Sequence, residues 1–210
     1  MADDPGLFET MYHCRAMRRL KSDPIPKETL LKLIDAANQA PTGSNRQGAR
    51  WIVVTDTAQK AKLAALNKKS VSAYIGPDSG RPDELPHQEA AKRQRMLDAV
   101  LWQAEHMQEI AALVIACYQT DGTVDDTKGP GDGGSIWPAV QNLLLAARAL
   151  GLGAAPTTLG LVDRPAVREI LNLPADMAAH CLIPVGYPMG SFGPVTRLPV
   201  EQTLRWDRWD

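Results

Sequence analysis

Arginines gather at both ends of this chain. Arg15, Arg18, Arg19 and Lys21 stand together just before Asp23-Pro24-Ile25-Pro26, while Arg197 and Arg205 lie near the far end. A guanidinium fork grips phosphate through two parallel hydrogen bonds, so a pair drawn from the two ends suits a nucleotide-like ligand. The competing reading is a solvated charged face, the usual fate of surface cations. Other chemistries lack their spacing. His13, His87, His106 and His180 form no H-x-x-x-H, no C-x-x-C is present, and the neighbours His13 and Cys14 cannot easily chelate one ion, so no metal site is expected. Gly43-Ser44-Asn45 and Gly190-Ser191-Phe192-Gly193 both miss the G-x-S-x-G of a serine hydrolase. Gly131-Asp132-Gly133-Gly134 precedes a helix, but Ile136 stands where a dinucleotide loop needs its third glycine, so the stretch reads as a connector. Without a G-x-x-x-x-G-K loop, any phosphate must be held by side chains.

Hydrophobic period supplies the elements that must position the arginines. Leu30, Leu31, Ile34 and Ala37 give residues 26–39 a helical stripe, with Pro26 in its first turn and Pro41 and Gly43 ending it. Residues 51–55 are a short β-branched run, a buried strand, and Asp56 with Gln59 is a capping signal for a helix running to about residue 67. Residues 70–86, with Ser, Gly and Pro at irregular spacing, are expected to form a loop suited to substrate specificity. Leu97, Val100, Leu101, Ala104 and Met107 put one apolar face on a long helix over 87–110. A central strand over 111–119 and a second polar loop over 121–134 follow. Residues 135–150 are apolar nearly all round, which marks a buried helix, stopped by Gly151 and Gly153. Then come a short strand at 154–158, a helix over 163–171 with Asp163 as its N-cap, and a strand at 179–187 in which Pro184 implies an unpaired side. Phe192, Leu198, Leu204, Trp206 and Trp209 follow no period, so the last stretch needs a surface to lie on. A partner subunit and the chain's own surface are the two choices.

Bulk numbers narrow the class further. Of the 210 residues, 44% are hydrophobic and 22% charged, an ordinary globular balance that fits one domain. A net charge of -1 provides no broad field for a nucleic acid or an anionic membrane. Cys14, Cys117 and Cys181 are odd in number and widely spaced, which argues against a disulfide framework and for a reducing compartment. No apolar run nears the ~20 residues of a membrane span. A cytoplasmic protein is expected, with no nucleic-acid or membrane partner.

The order of the segments carries a resemblance. Arg15-Ala16-Met17-Arg18-Arg19-Leu20, an amphipathic helix, and Ala40-Pro41-Thr42-Gly43-Ser44-Asn45-Arg46-Gln47-Gly48 leading into a strand resemble the start of the FMN-dependent nitroreductase family, R-S-x-R-x-F followed by A-P-S-x-x-N-x-Q-P-W. The likeness continues through Gln141-Asn142-Leu143-Leu144, Leu150-Gly151-Leu152-Gly153, Pro156-Thr157-Thr158, Pro184-Val185-Gly186-Tyr187-Pro188 and Arg197-Leu198-Pro199, nearly the whole chain. It implies an α+β fold, a nitroreductase-like α/β sandwich with a mixed, mostly antiparallel sheet flanked by helices. Residues 1–210 would form a single FMN-binding domain whose C-terminal arm, about 190–210, is exchanged across a homodimer holding two FMN sites.

Residue by residue, the resemblance makes Arg15 and Arg197 the pair on the FMN phosphate, with Ala16 and Met17 beside them, and Arg18 the cation at the pyrimidine edge of the flavin. Pro41, Thr42, Ser44, Asn45 and Gln47 resemble the stretch that reaches the flavin from the partner chain, where short amides and hydroxyls suit ribityl and ring-edge hydrogen bonds. Thr157, Thr158 and Leu159 resemble the segment over the flavin N5. Trp137 suits either a wall of the flavin pocket or the core. The chain departs from the pattern at Ala16 (usually Ser), Gly48 (commonly Pro), Thr158 (Glu in some members) and Val195, where some members carry a basic residue. The implied activity is ping-pong hydride transfer from NAD(P)H through the flavin to an electron-poor small molecule such as a nitroaromatic or quinone. It asks for no residue with a dedicated catalytic pKa, because the cofactor does the redox chemistry. A specialised enzyme of the same family and a flavin-binding protein without turnover remain the alternatives.

Overall fold

A computed structural model describes residues 6–76, 89–127 and 133–209. Its centre is a strand with no polar face: in β2 (Ala112–Gln119) every residue from 112 to 117 is sealed from solvent. A strand buried on both faces reads as a continuous apolar run, which is why this element was legible. Its neighbours are β1 (Ala49–Val54) on one side and β4 (Met177–Gly186) on the other, and the two-residue β3 (Gly153–Ala154) closes the order β1-β2-β4-β3. All three pairings among the described residues are antiparallel, the antiparallel part of the expected sheet.

The period of two divides β2 between two cores. Ala112, Val114, Ala116 and Tyr118 pack with residues of α2 (Lys27–Asn38) and α5 (Ile136–Ala149), while Leu113, Ile115 and Cys117 pack with residues of α3 (Thr57–Ile75) and α6 (Arg164–Leu171). Helices thus cover both faces, an α+β sandwich. The caps expected from sequence are in place: Gln59 N–H donates to Asp56 Oδ1 at 2.8 Å and Ala166 N–H to Asp163 Oδ1 at 3.2 Å. Pro184 also has its reason. Leu182 exchanges both backbone bonds with Thr157, so by alternation residue 184 faces the side where β3 pairs only Val185 and Gly186, and no ladder bond is lost there.

Several elements differ from expectation. Leu31 is exposed and the buried stripe of α2 is Leu30, Leu33 and Ala37, a 3-4 spacing that the adjacent leucines obscured. α3 runs on to Ile75, into the expected loop, because no Gly or Pro interrupts it before Gly76; residues 77–86 of that loop lie outside the described residues. α4 (Ala90–His106) is shorter than the helix expected over 87–110, and residues 87–88 lie outside the described residues. Its contacts with α3 bury Gln103 and Ala104, leaving Leu101 exposed. Residues 128–132 of the second loop are likewise outside; 133–135 form a short 3-10 turn leading into α5. An unexpected helix, α1 (Leu7–His13), exposes Leu7, Phe8 and Tyr12. Among the described residues no helix is long and apolar enough to cross a membrane.

Candidate functional site

The arginine segment lies across the sheet edge beyond β3. Met17 N–H donates to Ala154 O at 3.1 Å, Lys21 N–H to Tyr187 O at 2.8 Å, and Met189 N–H returns to Arg19 O at 3.0 Å. Gly153 is what admits this crossing, because a Cβ there would stand 2.6 Å from Leu20 Cδ2 and 2.8 Å from Met17 Cβ. The crossing fixes the alternate residues. Met17 and Leu20 turn into a small core with Ile110, so Met17 contributes packing, while Arg15 and Ala16 are exposed. Arg18 is half-buried, desolvation pulls its pKa below the ordinary guanidinium value, and no hydrogen bond or ion pair engages it among the described residues. A guanidinium stays charged there, so a desolvated cation stands ready for an anionic or electron-rich partner.

The C-terminal stretch begins on the chain's own surface. Phe192 packs on the core of Met17, Leu20 and Ile110, and Val195 N–H donates to Tyr12 O at 2.9 Å. Arg15 Nη1 lies 3.7 Å from where a Cβ on Gly193 would be, and Arg197 is close enough for its charge to act on the Cys14 thiol. The two ends of the chain therefore meet, as the arginine pairing expected. Beyond them Leu198, Val200, Leu204, Trp206 and Trp209 are exposed, the two tryptophans at 80% and 76%, with only the four-residue α7 (Val200–Thr203) among them. Of the apolar residues expected to need a surface, Phe192 finds it on its own chain and the later ones do not.

Thr157 to Leu159 follow β3 by a few residues, so they share the edge with the arginines. Thr157 is pinned against Leu182, Leu159 N–H donates to Thr157 Oγ1 at 3.2 Å, and among the described residues no protein acceptor meets the N–H of the exposed Thr158.

The loop 41–47 is built differently. Gln47 N–H donates to Thr42 Oγ1 at 3.0 Å and Gln47 Nε2 to Asn45 Oδ1 at 3.2 Å, while Gly43 N–H reaches Ser135 Oγ at 3.1 Å. Ser44, Asn45 and Gln47 all have φ near +50°, a conformation that costs a side-chain-bearing residue of order 1–3 kcal/mol and that clusters at functional sites. Pro41, Ser44, Asn45 and Gln47 are exposed. Gly48 explains its own departure from proline: a Cβ there would meet the Tyr118 ring at 2.7 Å. Beside this loop, Asn38, Thr42, Gln47, Arg50 and Ala139 line a cleft of about 210 Å³, below the roughly 300 Å³ at which ligand pockets begin. Trp137, 43% exposed at the start of α5, is not core.

Distance separates the two groups within one chain. The loop docks on Ser135, just before α5, whereas the Cys14 thiol donates to Leu144 O in the second half of that helix. Nine residues of helix are roughly 13 Å. The structure brings Arg15 and Arg197 to the second half of α5 and 41–47 to its start; Thr157, paired with Leu182 two residues from His180, lies between them. Sequence reasoning missed Arg148, whose guanidinium lies over the Phe192 ring at 4.3 Å. Its signal was available, since Arg148 is the one charged residue of α5.

Comparison with known proteins identifies the family. The profile of the Nitroreductase family matches residues 13–187. A NADH dehydrogenase of Thermus thermophilus is 30% identical over 200 residues, 91% of each chain. An iodotyrosine deiodinase of Thermotoga neapolitana is 28% identical over 182 residues, 87% of this chain and 88% of the relative. The fold is shared with the crystal structure of oxidized iodotyrosine deiodinase bound to FMN and 3-iodo-L-tyrosine, at 24% identity and a TM-score of 0.76, covering 97% of this chain and all of that one. This chain belongs to the nitroreductase family.

Proposed function

We propose that the protein is an FMN-dependent oxidoreductase that draws electrons from NAD(P)H and delivers them to an electron-poor small molecule, a nitroaromatic or a quinone. It works as a cytoplasmic homodimer, the whole chain forming one domain with an exchanged arm. The observation that carries this reading is Arg18, a half-buried guanidinium without a hydrogen-bond or ion-pair partner among the described residues, beside an edge where Arg15 and Arg197 converge. FMN suits these residues: Arg15 and Arg197 would hold its phosphate, and Arg18 and the Thr158 N–H would face its ring.

Bound FMN supplies the hydride chemistry, accepting from NAD(P)H and passing electrons to the acceptor in turn. Everything else falls to the chain. Arg18, uncompensated by any carboxylate, holds positive charge where electron density gathers on reduction. The loop of Pro41, Thr42, Ser44, Asn45 and Gln47 stands some 13 Å along α5 from the Cys14 anchor, and the family resemblance assigns it to the flavin of the partner subunit. The exposed Leu198, Leu204, Trp206 and Trp209 are the apolar surface that such a partner covers.

Purified protein is expected to be yellow and to bleach on addition of NADH or NADPH. Colourless protein that stays so when mixed with FMN would refute the assignment. Likeness to iodotyrosine deiodinases favours a second acceptor class, halogenated phenols. Turnover assayed side by side with a quinone, a nitroaromatic and 3-iodo-L-tyrosine separates the two.

A further inference from the structure

We infer that Arg148, in the last turn of α5, is a third phosphate-binding cation of the flavin site, standing in for the basic residue that Val195 does not provide. The inference rests on the FMN reading above and concerns a residue that the chain-end arginines do not include.

Three observations place it. First, Arg148 is half-buried and its Nε is sealed from solvent with no hydrogen-bond partner, in a helix otherwise free of charge. That N–H is covered by the chain itself, but the terminal N–H groups of Arg148 also have no protein acceptor among the described residues and are left to donate to a ligand. Second, its guanidinium lies over Phe192 at 4.3 Å, which sets it beside Gly193, the residue that Arg15 Nη1 approaches. Third, Arg148 and Arg197 are the two cations whose charges act on the Cys14 thiol, and Cys14 is the neighbour of Arg15. Three guanidinium groups from three parts of the chain thus converge on one patch, and among the described residues no carboxylate pairs with any of them. Repulsion among them is relieved by a dianion such as a phosphate monoester.

The competing role is structural: a cation at a helix C-terminus complements the helix dipole, and stacking on Phe192 tethers the arm. Comparing FMN with riboflavin, which lacks the phosphate, separates the two roles. Arg148→Met keeps the stem over Phe192 and removes the charge. FMN affinity should fall roughly ten- to hundredfold, riboflavin affinity should stay within about twofold, and the melting temperature of the flavin-free protein should not move. Arg148→Lys, a point charge without the fork, should recover part of the FMN affinity. A parallel loss for FMN and riboflavin, or no loss for either, overturns the proposal and leaves the enzyme reading intact. Wild-type protein that binds neither flavin overturns both. Arg148→Gln, which keeps a polar group over Phe192, reads the same ratio should the Met variant fail to fold.

Discussion

The two ends of α5 solve different problems. At its C-terminal end Arg15, Arg148 and Arg197 converge without a carboxylate among the described residues, and their hydrogen-bonding capacity is largely left open. At its N-terminal end the 41–47 loop has its one cation, Arg46, paired with Asp121 and spends its other bonds within the chain, Thr42 accepting from Gln47 and Ser135 accepting from Gly43. The first end invests in charge, which gives affinity for an anion. The second invests in backbone shape, holding Ser44, Asn45 and Gln47 in left-handed conformations that only a well-determined loop keeps. Grip and orientation are thus separate in one chain, and the homodimer proposed above would bring them onto one flavin.

The largest expected effect comes from removing the connection itself. Deleting residues 196–210 takes away Arg197 and the exposed tryptophans together, and the product should sediment as a monomer and lose its flavin on gel filtration. A truncated chain that stays dimeric and yellow would show that the two ends need no arm. Arg197→Ala isolates the charge: FMN affinity should drop roughly ten- to hundredfold while sedimentation stays that of a dimer. Unchanged affinity would mean that the arm serves packing alone. At the neutral end the effect is smaller. Thr42→Val leaves Gln47 N–H without its acceptor, about 0.5–1.5 kcal/mol, so flavin affinity should fall by threefold to tenfold at most, and equally for FMN and riboflavin. A phosphate-selective loss in this variant would erase the distinction between the ends.

What was legible in the sequence divides along similar lines. The buried β2, the apolar α5 and the caps at Asp56 and Asp163 were readable because each is set by local period or by a side chain bonding its own next turn. The meeting of Arg15 with the C-terminal stretch was offered by residue type only beside a solvated-face reading and was singled out by family resemblance, since residues so far apart in sequence share no period. The failures have the same origin. Leu31 and Leu33 differ only in which face the tertiary contacts cover, and Leu101 looks like core until α4 proves to be buried mainly in its last turns. Arg148 was passed over because fourteen residues of apolar helix invite a reading as pure core, although a single charge in such a helix marks a place where the core ends.

The smallest effect probes the charged end from within. Cys117 and Cys181 sit in the two cores, and burial pushes both thiols up to about 12. Cys14, at the charged end, is also raised above the ordinary 9.0, by desolvation first, but Arg148 and Arg197 pull it back. Cations favour a thiolate, so neutralising either one should move the ionisation of Cys14 to still higher pH. The pH profile of iodoacetamide labelling at Cys14, followed by mass spectrometry, reads this directly. Arg148→Met and Arg197→Ala should each shift the rise in labelling toward alkaline pH, whereas Thr42→Val should not. Cys117 and Cys181 serve as internal controls, labelling slowly in every variant while the fold is intact. FMN phosphate seated between the two arginines cancels the same field, so added FMN should shift the Cys14 profile in the same direction in the wild type and less in Arg148→Met. Equal shifts with riboflavin would point to simple shielding of the thiol and remove the phosphate from that end of the helix.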